Sequence, residues 1–122
     1  MLRLLGTIHA ANGTSKNNMT TASPFAIPPT ARWLKLTTAQ AGVRFAIKPD
    51  TKGYDPFNPA AYFTPSNWVQ TSTLAATASD LPLAQNVTQA EHVDRLGGAP
   101  AVVAIYAGSA DSDVLVYVDD GP

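Results

Sequence analysis

The chain has 122 residues, 45% of them hydrophobic and 14% charged, with no cysteine and a formal net charge of −1. That length suits one domain with a buried core. The charged share falls well below the usual value of about 25%, which leaves a surface of small neutral residues of the kind that assemblies cover. The near-zero charge gives no electrostatic case for nucleic acid or an anionic membrane. The missing thiols exclude disulfides and thiolate metal sites, and no apolar run approaches the roughly 20 residues of a membrane helix.

Charge is nevertheless unevenly placed. Residues 1–52 hold seven Lys or Arg against one acid (+6), and residues 53–122 hold eight acids against Arg95 alone (−7). These halves either intermix over the surface of a β-sandwich or pair head to tail between subunits.

Residues 2–8 predict a first strand with Leu2, Leu4 and Ile8 on one face. The same opening stretch has no apolar run long enough to be expected to act as a signal peptide. Asn12-Gly13 signals a turn within a polar loop at 11–18. Residues 19–27 read as extended, with Pro24, Pro28 and Pro29 confining them to an edge or irregular position. Residues 31–37 and 43–47 then alternate. Leu34 and Leu36 oppose Trp33 and Lys35; Val43, Phe45 and Ile47 oppose Arg44, Ala46 and Lys48. With a short loop ending at Gly42 between them, the two segments predict an antiparallel hairpin. Its outer face would be basic, drawn from Arg32, Lys35, Arg44 and Lys48.

Periodicity stops at residues 49–65, where Pro49, Pro56, Pro59 and Pro65 alternate with Tyr54, Phe57, Tyr62 and Phe63. Such rings either cap the end of the core or form an ordered arm that docks on a partner. The Thr-, Ser- and Ala-rich residues 68–78 predict a strand, and Leu81-Pro82-Leu83 a turn. Thr88 and Glu91 fit a capping box ahead of Val93 and Leu96, with Gly97-Gly98 as a stop, so a short helix competes with a strand at 88–96. The strongest signal comes last. Residues 101–107 and 114–118 are β-branched and aromatic runs around a turn at 108–112, the pattern of an apolar hairpin. Alternation puts Val114, Val116 and Val118 on one face and Leu115 and Tyr117 on the other. Both faces therefore need cover, and the second should meet another layer or another subunit. Residues 119–122 form a polar tail.

The sum is an all-β protein: a single antiparallel β-sandwich or jelly-roll domain of seven to nine short strands spanning 1–122. Within it, residues 1–30 supply an N-terminal strand or arm and residues 49–65 an aromatic, Pro-rich loop.

Chemistry-bearing patterns are sparse. His9 and His92 stand apart, without the spacing of a metal cluster. Asp111-Ser112-Asp113 and Asp119-Asp120 lack the Gly-centred loop and distal Glu of a calcium hand. Neither Gly108-Ser109-Ala110 nor Gly13-Thr14-Ser15 makes a nucleophile elbow. The acids cluster at turns and in the tail rather than as a catalytic pair, and no Gly-rich phosphate loop is present. Trp33 between Arg32 and Lys35 faintly suggests a base-stacking platform, which the C-terminal acids oppose. The chain is thus expected not to be an enzyme and to need no metal or cofactor.

Several stretches together carry a resemblance: Ala31-Arg32-Trp33-Leu34-Lys35-Leu36, Gly42-Val43-Arg44-Phe45-Ala46-Ile47, Ala78-Ser79-Asp80-Leu81-Pro82-Leu83, and the closing runs at 102–106 and 114–121. Over residues 32–121 this rhythm resembles small structural proteins of tailed bacteriophages. The chain departs from their pattern in its aromatic 49–65 insertion and its basic N-terminal part. The resemblance implies a virion β-sandwich of the decoration or cement type on the capsid surface, present in the host cytoplasm during assembly. The implied partners are a major capsid protein or a neighbouring virion protein, and further copies of the chain, with a trimer expected first. On that view Val114, Leu115, Val116 and Tyr117 carry self-association, and Arg3, Lys16, Tyr54, Phe57, Tyr62 and Phe63 carry shell docking. A head-to-tail or tail-associated adaptor would share the fold. A carbohydrate-binding module would instead need Trp33, Trp68 and Tyr54 on one exposed platform.

Overall fold

The computed structural model describes residues 2–27, 31–49, 75–92 and 101–119. The alternating segments form eight strands there: β1 (Leu2–Ala10), β2 (Ser15–Asn17), β3 (Trp33–Thr38), β4 (Val43–Pro49), β5 (Leu81–Pro82), β6 (Gln89–His92), β7 (Ala101–Ala107) and β8 (Ser112–Asp119). No helix occurs among the described residues. The strands make two four-stranded sheets, ordered β1-β8-β3-β6 (sheet A) and β2-β7-β4-β5 (sheet B), with every paired strand antiparallel.

The pairing is nested. β1 with β8, β2 with β7, β3 with β6 and β4 with β5 are the rungs of one long hairpin whose tip is the connection at 50–80. Wrapping that hairpin brings β3 onto β8 and β4 onto β7, which closes the two sheets. The result is a jelly-roll β-sandwich.

The same topology revises two expectations. The segments at 31–37 and 43–47 are not hairpin partners, because β3 lies in sheet A and β4 in sheet B. Likewise β7 and β8 flank a tight loop but belong to opposite sheets. An apolar run, a turn and a second apolar run describe a hairpin and an arch equally well. In a hairpin the backbones bond each other; in an arch the inner side chains pack across the gap. Here Val103, Ile105 and Ala107 join Val114, Val116 and Val118 in one core, with Leu34, Leu36, Val43 and Phe45. All of these are essentially inaccessible to solvent, and each buried Val, Leu, Ile or Phe contributes roughly 1.5–3 kcal/mol.

β1 carries a further correction. A register shift between Leu4 and Gly6 sets two steps of β1 against one step of β8. This bulge turns Ile8 inward and Leu2 and Leu4 outward, so the three do not share a face. Gly6 faces the core opposite Val116, directly under the Phe25 ring. A Cβ there would lie 2.7 Å from two ring atoms, so only glycine admits Phe25 to the core.

The stretch at 11–27 is more structured than a polar loop followed by an edge. Asn17 Oδ1 accepts the Met19 and Thr20 amides at 2.8 and 3.0 Å, making a side-chain turn. Asn18, 0% exposed, bonds through both ends of its amide. Its Oδ1 accepts the Val103 N–H at 2.9 Å and its Nδ2 donates to the Phe25 carbonyl at 2.8 Å. Leu81-Pro82 forms a short strand beside β4 rather than a turn. Residues 75–78, the described end of the strand expected at 68–78, are irregular and turn backbone. Of the competing forms at 88–96, strand prevails over residues 89–92. Pairing with β3 gives these backbone groups partners that a capped helix would otherwise supply.

Candidate functional site

The outer face of sheet A follows directly from the registers. One cross-strand row runs Leu2, Asp119, Trp33, and the next runs Leu4, Tyr117, Lys35, Ala90. Thr7, Leu115 and Thr37 form a third row, and His9 beside Asp113 a fourth. Leu2 is 48%, Leu4 51% and Trp33 41% exposed, around half-buried Leu115 and Tyr117. Large apolar side chains on neighbouring outward positions of one sheet form a contiguous patch, unlike scattered surface leucines.

The charges on this face are matched to one another. Lys35 Nζ stands 3.9 Å from Asp119 Oδ2, and His9 Nδ1 stands 2.6 Å from Asp113 Oδ1. The two pairs sit toward opposite ends of the strands, with Leu4, Tyr117 and Leu115 on the rows between Asp119 and Asp113. A surface that is apolar in the middle and neutral at its rim suits a protein partner. It has no excess charge with which to hold a nucleic acid.

The residues expected to act in self-association divide sharply. Val114 and Val116 are 0% exposed inside the sandwich, so their side chains cannot meet another subunit. The alternation that assigns them a common face is right, but that face is the chain's own core. Leu115 and Tyr117 point outward onto sheet A's patch, joined by Leu2, Leu4 and Trp33. The expected docking residues do not converge in the same way. Arg3 lies on β1 and Lys16 on β2, which are edge strands of different sheets. Tyr54, Phe57, Tyr62 and Phe63 lie outside the described residues, as does Trp68.

The contribution of Leu2 and Leu4 escapes a sequence reading because the bulge changes their face. Trp33 was legible as the outward partner of Lys35, but nothing local says that β1 and β3 lie on either side of β8. Among the described residues no group of three or more His, Cys, Asp or Glu side chains gathers to hold a metal ion. No described helix is long and apolar enough to cross a membrane. No protein-family model, curated protein or solved structure matches the chain.

Proposed function

We propose that this chain is a non-enzymatic virion structural protein of the decoration or cement type, which seats on a coat-protein shell and associates with copies of itself. The observation that carries this reading is the outer face of sheet A, with Leu2, Leu4 and Trp33 exposed around Leu115 and Tyr117 and with its charges already paired. Apolar burial is worth about 25 cal/mol per Å², so even a modest patch becomes effective when repeated over a shell. The contribution is mechanical: apolar contact clamps neighbouring coat subunits together.

Jelly rolls serve as capsid domains and as lectins, so the architecture alone does not choose between those roles. The aliphatic character of the patch favours the first. Leu2, Leu4 and Leu115 offer nothing to sugar hydroxyls, whereas they fill pockets in a protein surface well. An adaptor at the head–tail junction would use the same face in a ring of fixed number.

Light scattering on the purified chain, coupled to size exclusion, tests the reading. The expected mass is that of an oligomer, with a trimer first, and Leu4→Asp combined with Leu115→Asp should return it to the monomer while leaving the circular dichroism spectrum unchanged. A wild-type chain that is monomeric at all concentrations would sink self-association. Tryptophan quenching by added glycans would then favour the carbohydrate-binding alternative.

A further inference from the structure

Sheet B carries a different feature at the end where β4 begins and β7 ends. A cavity of about 230 Å³ opens there, lined by Gly42, Arg44, Ala78, Tyr106, Gly108 and Ser109. Arg44 and Tyr106 are direct cross-strand neighbours on the outer face of sheet B. The turn at 77–80 forms the opposite wall and is closed by its own bonds: the Asp80 carboxylate accepts the Thr77 N–H at 2.7 Å, and the Asp80 N–H donates to the Thr77 carbonyl at 3.0 Å. Two glycines make the floor. Gly42 has φ +77° and packs against the Ser109 hydroxyl, and Gly108 donates its N–H to the Gly42 carbonyl at 3.1 Å. A side chain at Gly108 would press on the Gly42 carbonyl, 2.7 Å from its Cβ.

The polar groups at this cavity are under-used. Arg44 Nη1 donates to the Asp80 carbonyl at 3.1 Å, which orients the guanidinium and, among the described residues, leaves its other donors open. Among the described residues no carboxylate pairs with Arg44, and neither the Tyr106 nor the Ser109 hydroxyl has a hydrogen-bond partner. The described carboxylates are all engaged elsewhere. Asp80 caps Thr77, Glu91 accepts from Gln89, Asp111 accepts the Asn12 N–H, Asp113 pairs with His9, and Asp119 pairs with Lys35. A half-buried guanidinium in a concave site, with two hydroxyl donors and no anion of its own, is built to receive one.

We infer that the Arg44–Tyr106–Ser109 cavity is a binding site for a single carboxylate, as borne by an acidic side chain of a protein partner or by a small organic acid. The planar guanidinium fork matches a carboxylate with two parallel hydrogen bonds, and one cation neutralises one negative charge. A phosphate dianion would keep an uncompensated charge, because among the described residues no second cation lines the cavity. The site is independent of the sheet A reading, since it opens on the other sheet and needs no oligomer.

Nitrogen–proton correlation spectra of the full chain test it, with sodium acetate titrated in at constant ionic strength set by chloride. Acetate should move the Gly42, Gly108 and Ser109 amides and the Arg44 Nε–H saturably, with a millimolar dissociation constant. Inorganic phosphate should bind at least severalfold more weakly. R44Q should abolish the effect, and Y106F or S109A should weaken it by roughly tenfold or more, the loss of one hydrogen bond to a charged group. These two milder variants keep the test decisive if R44Q does not fold. An acetyl-Gly-Asp-Gly-amide peptide that binds more tightly than acetate assigns the carboxylate to a protein partner; equal affinity assigns it to a free acid. Shifts that do not saturate, that persist unchanged in R44Q, or that are stronger with phosphate overturn the inference.

Discussion

β7 and β8 are near-twins in composition and neighbours in the chain, yet they end in different environments. On β8 the inward valines are fully buried while Leu115 and Tyr117 stay half open on sheet A. On β7 the inward residues are equally buried, but Val102 and Ala104, which point to the outer side of sheet B, are also 0% exposed. Part of the reason is visible at 75–78, where the Ala76 N–H donates to Ser15 Oγ at 2.9 Å and that hydroxyl donates to the Ile105 carbonyl at 2.8 Å. The chain thus lays a segment of itself over sheet B and leaves sheet A bare. An apolar outward residue means internal cover in one sheet and an available surface in the other.

Substitutions at adjacent positions should break this comparison most clearly. Val116→Asp puts an unpaired charge into the core and should cost on the order of 3–5 kcal/mol or more, enough to unfold a domain of ordinary stability. Leu115→Asp, one residue away on the outer face, should cost about 1 kcal/mol. Urea titration followed by tryptophan fluorescence reads both, and equal losses would refute the assignment of faces. Next in size is Asn18→Ala. It strands the Val103 N–H and the Phe25 carbonyl, and two unsatisfied buried groups should cost about 2–4 kcal/mol. Amide exchange at Val103 should accelerate in step, which ties the loss to the β2–β7 side of sheet B rather than to sheet A. Gly6→Ala should cost less than Asn18→Ala but more than Leu115→Asp, at about 1–3 kcal/mol, the usual range for overpacking. Its expected signature is a displaced Phe25 ring, seen as shifted aromatic resonances, with the outer face of sheet A unchanged.

The extent to which the site was legible follows from the same physics. Alternation in 43–47 and 114–118 identifies inward and outward sets correctly, because the pleat reverses side chains at every residue wherever a strand lies. That rule fails at Leu2 and Leu4, where the bulge adds a residue and the faces exchange. It is also silent on partners. The Arg44 cavity joins residues from β4, β7, two loops and the turn at 77–80, positions far apart in the chain with no shared local pattern. Thr88 and Glu91 show a conflict of another kind. Their spacing suits a helix start, but β3 offers residues 89–92 a ready edge, and tertiary pairing outweighs a weak local preference.

By itself, the sequence determined the all-β character of this protein, most strand positions and which side chains of the strongest strands avoid water. Those properties depend on residue type and a two-residue period, both local. The tertiary structure decided which strands bond and which merely face one another, turning two apparent hairpins into arches across a jelly roll. Backbone hydrogen bonds are the same at every residue, so a strand's own side chains cannot name its neighbour. Only the closing of the nested hairpin, with the bulge in β1, brings Leu2, Leu4, Trp33, Leu115 and Tyr117 onto one open face.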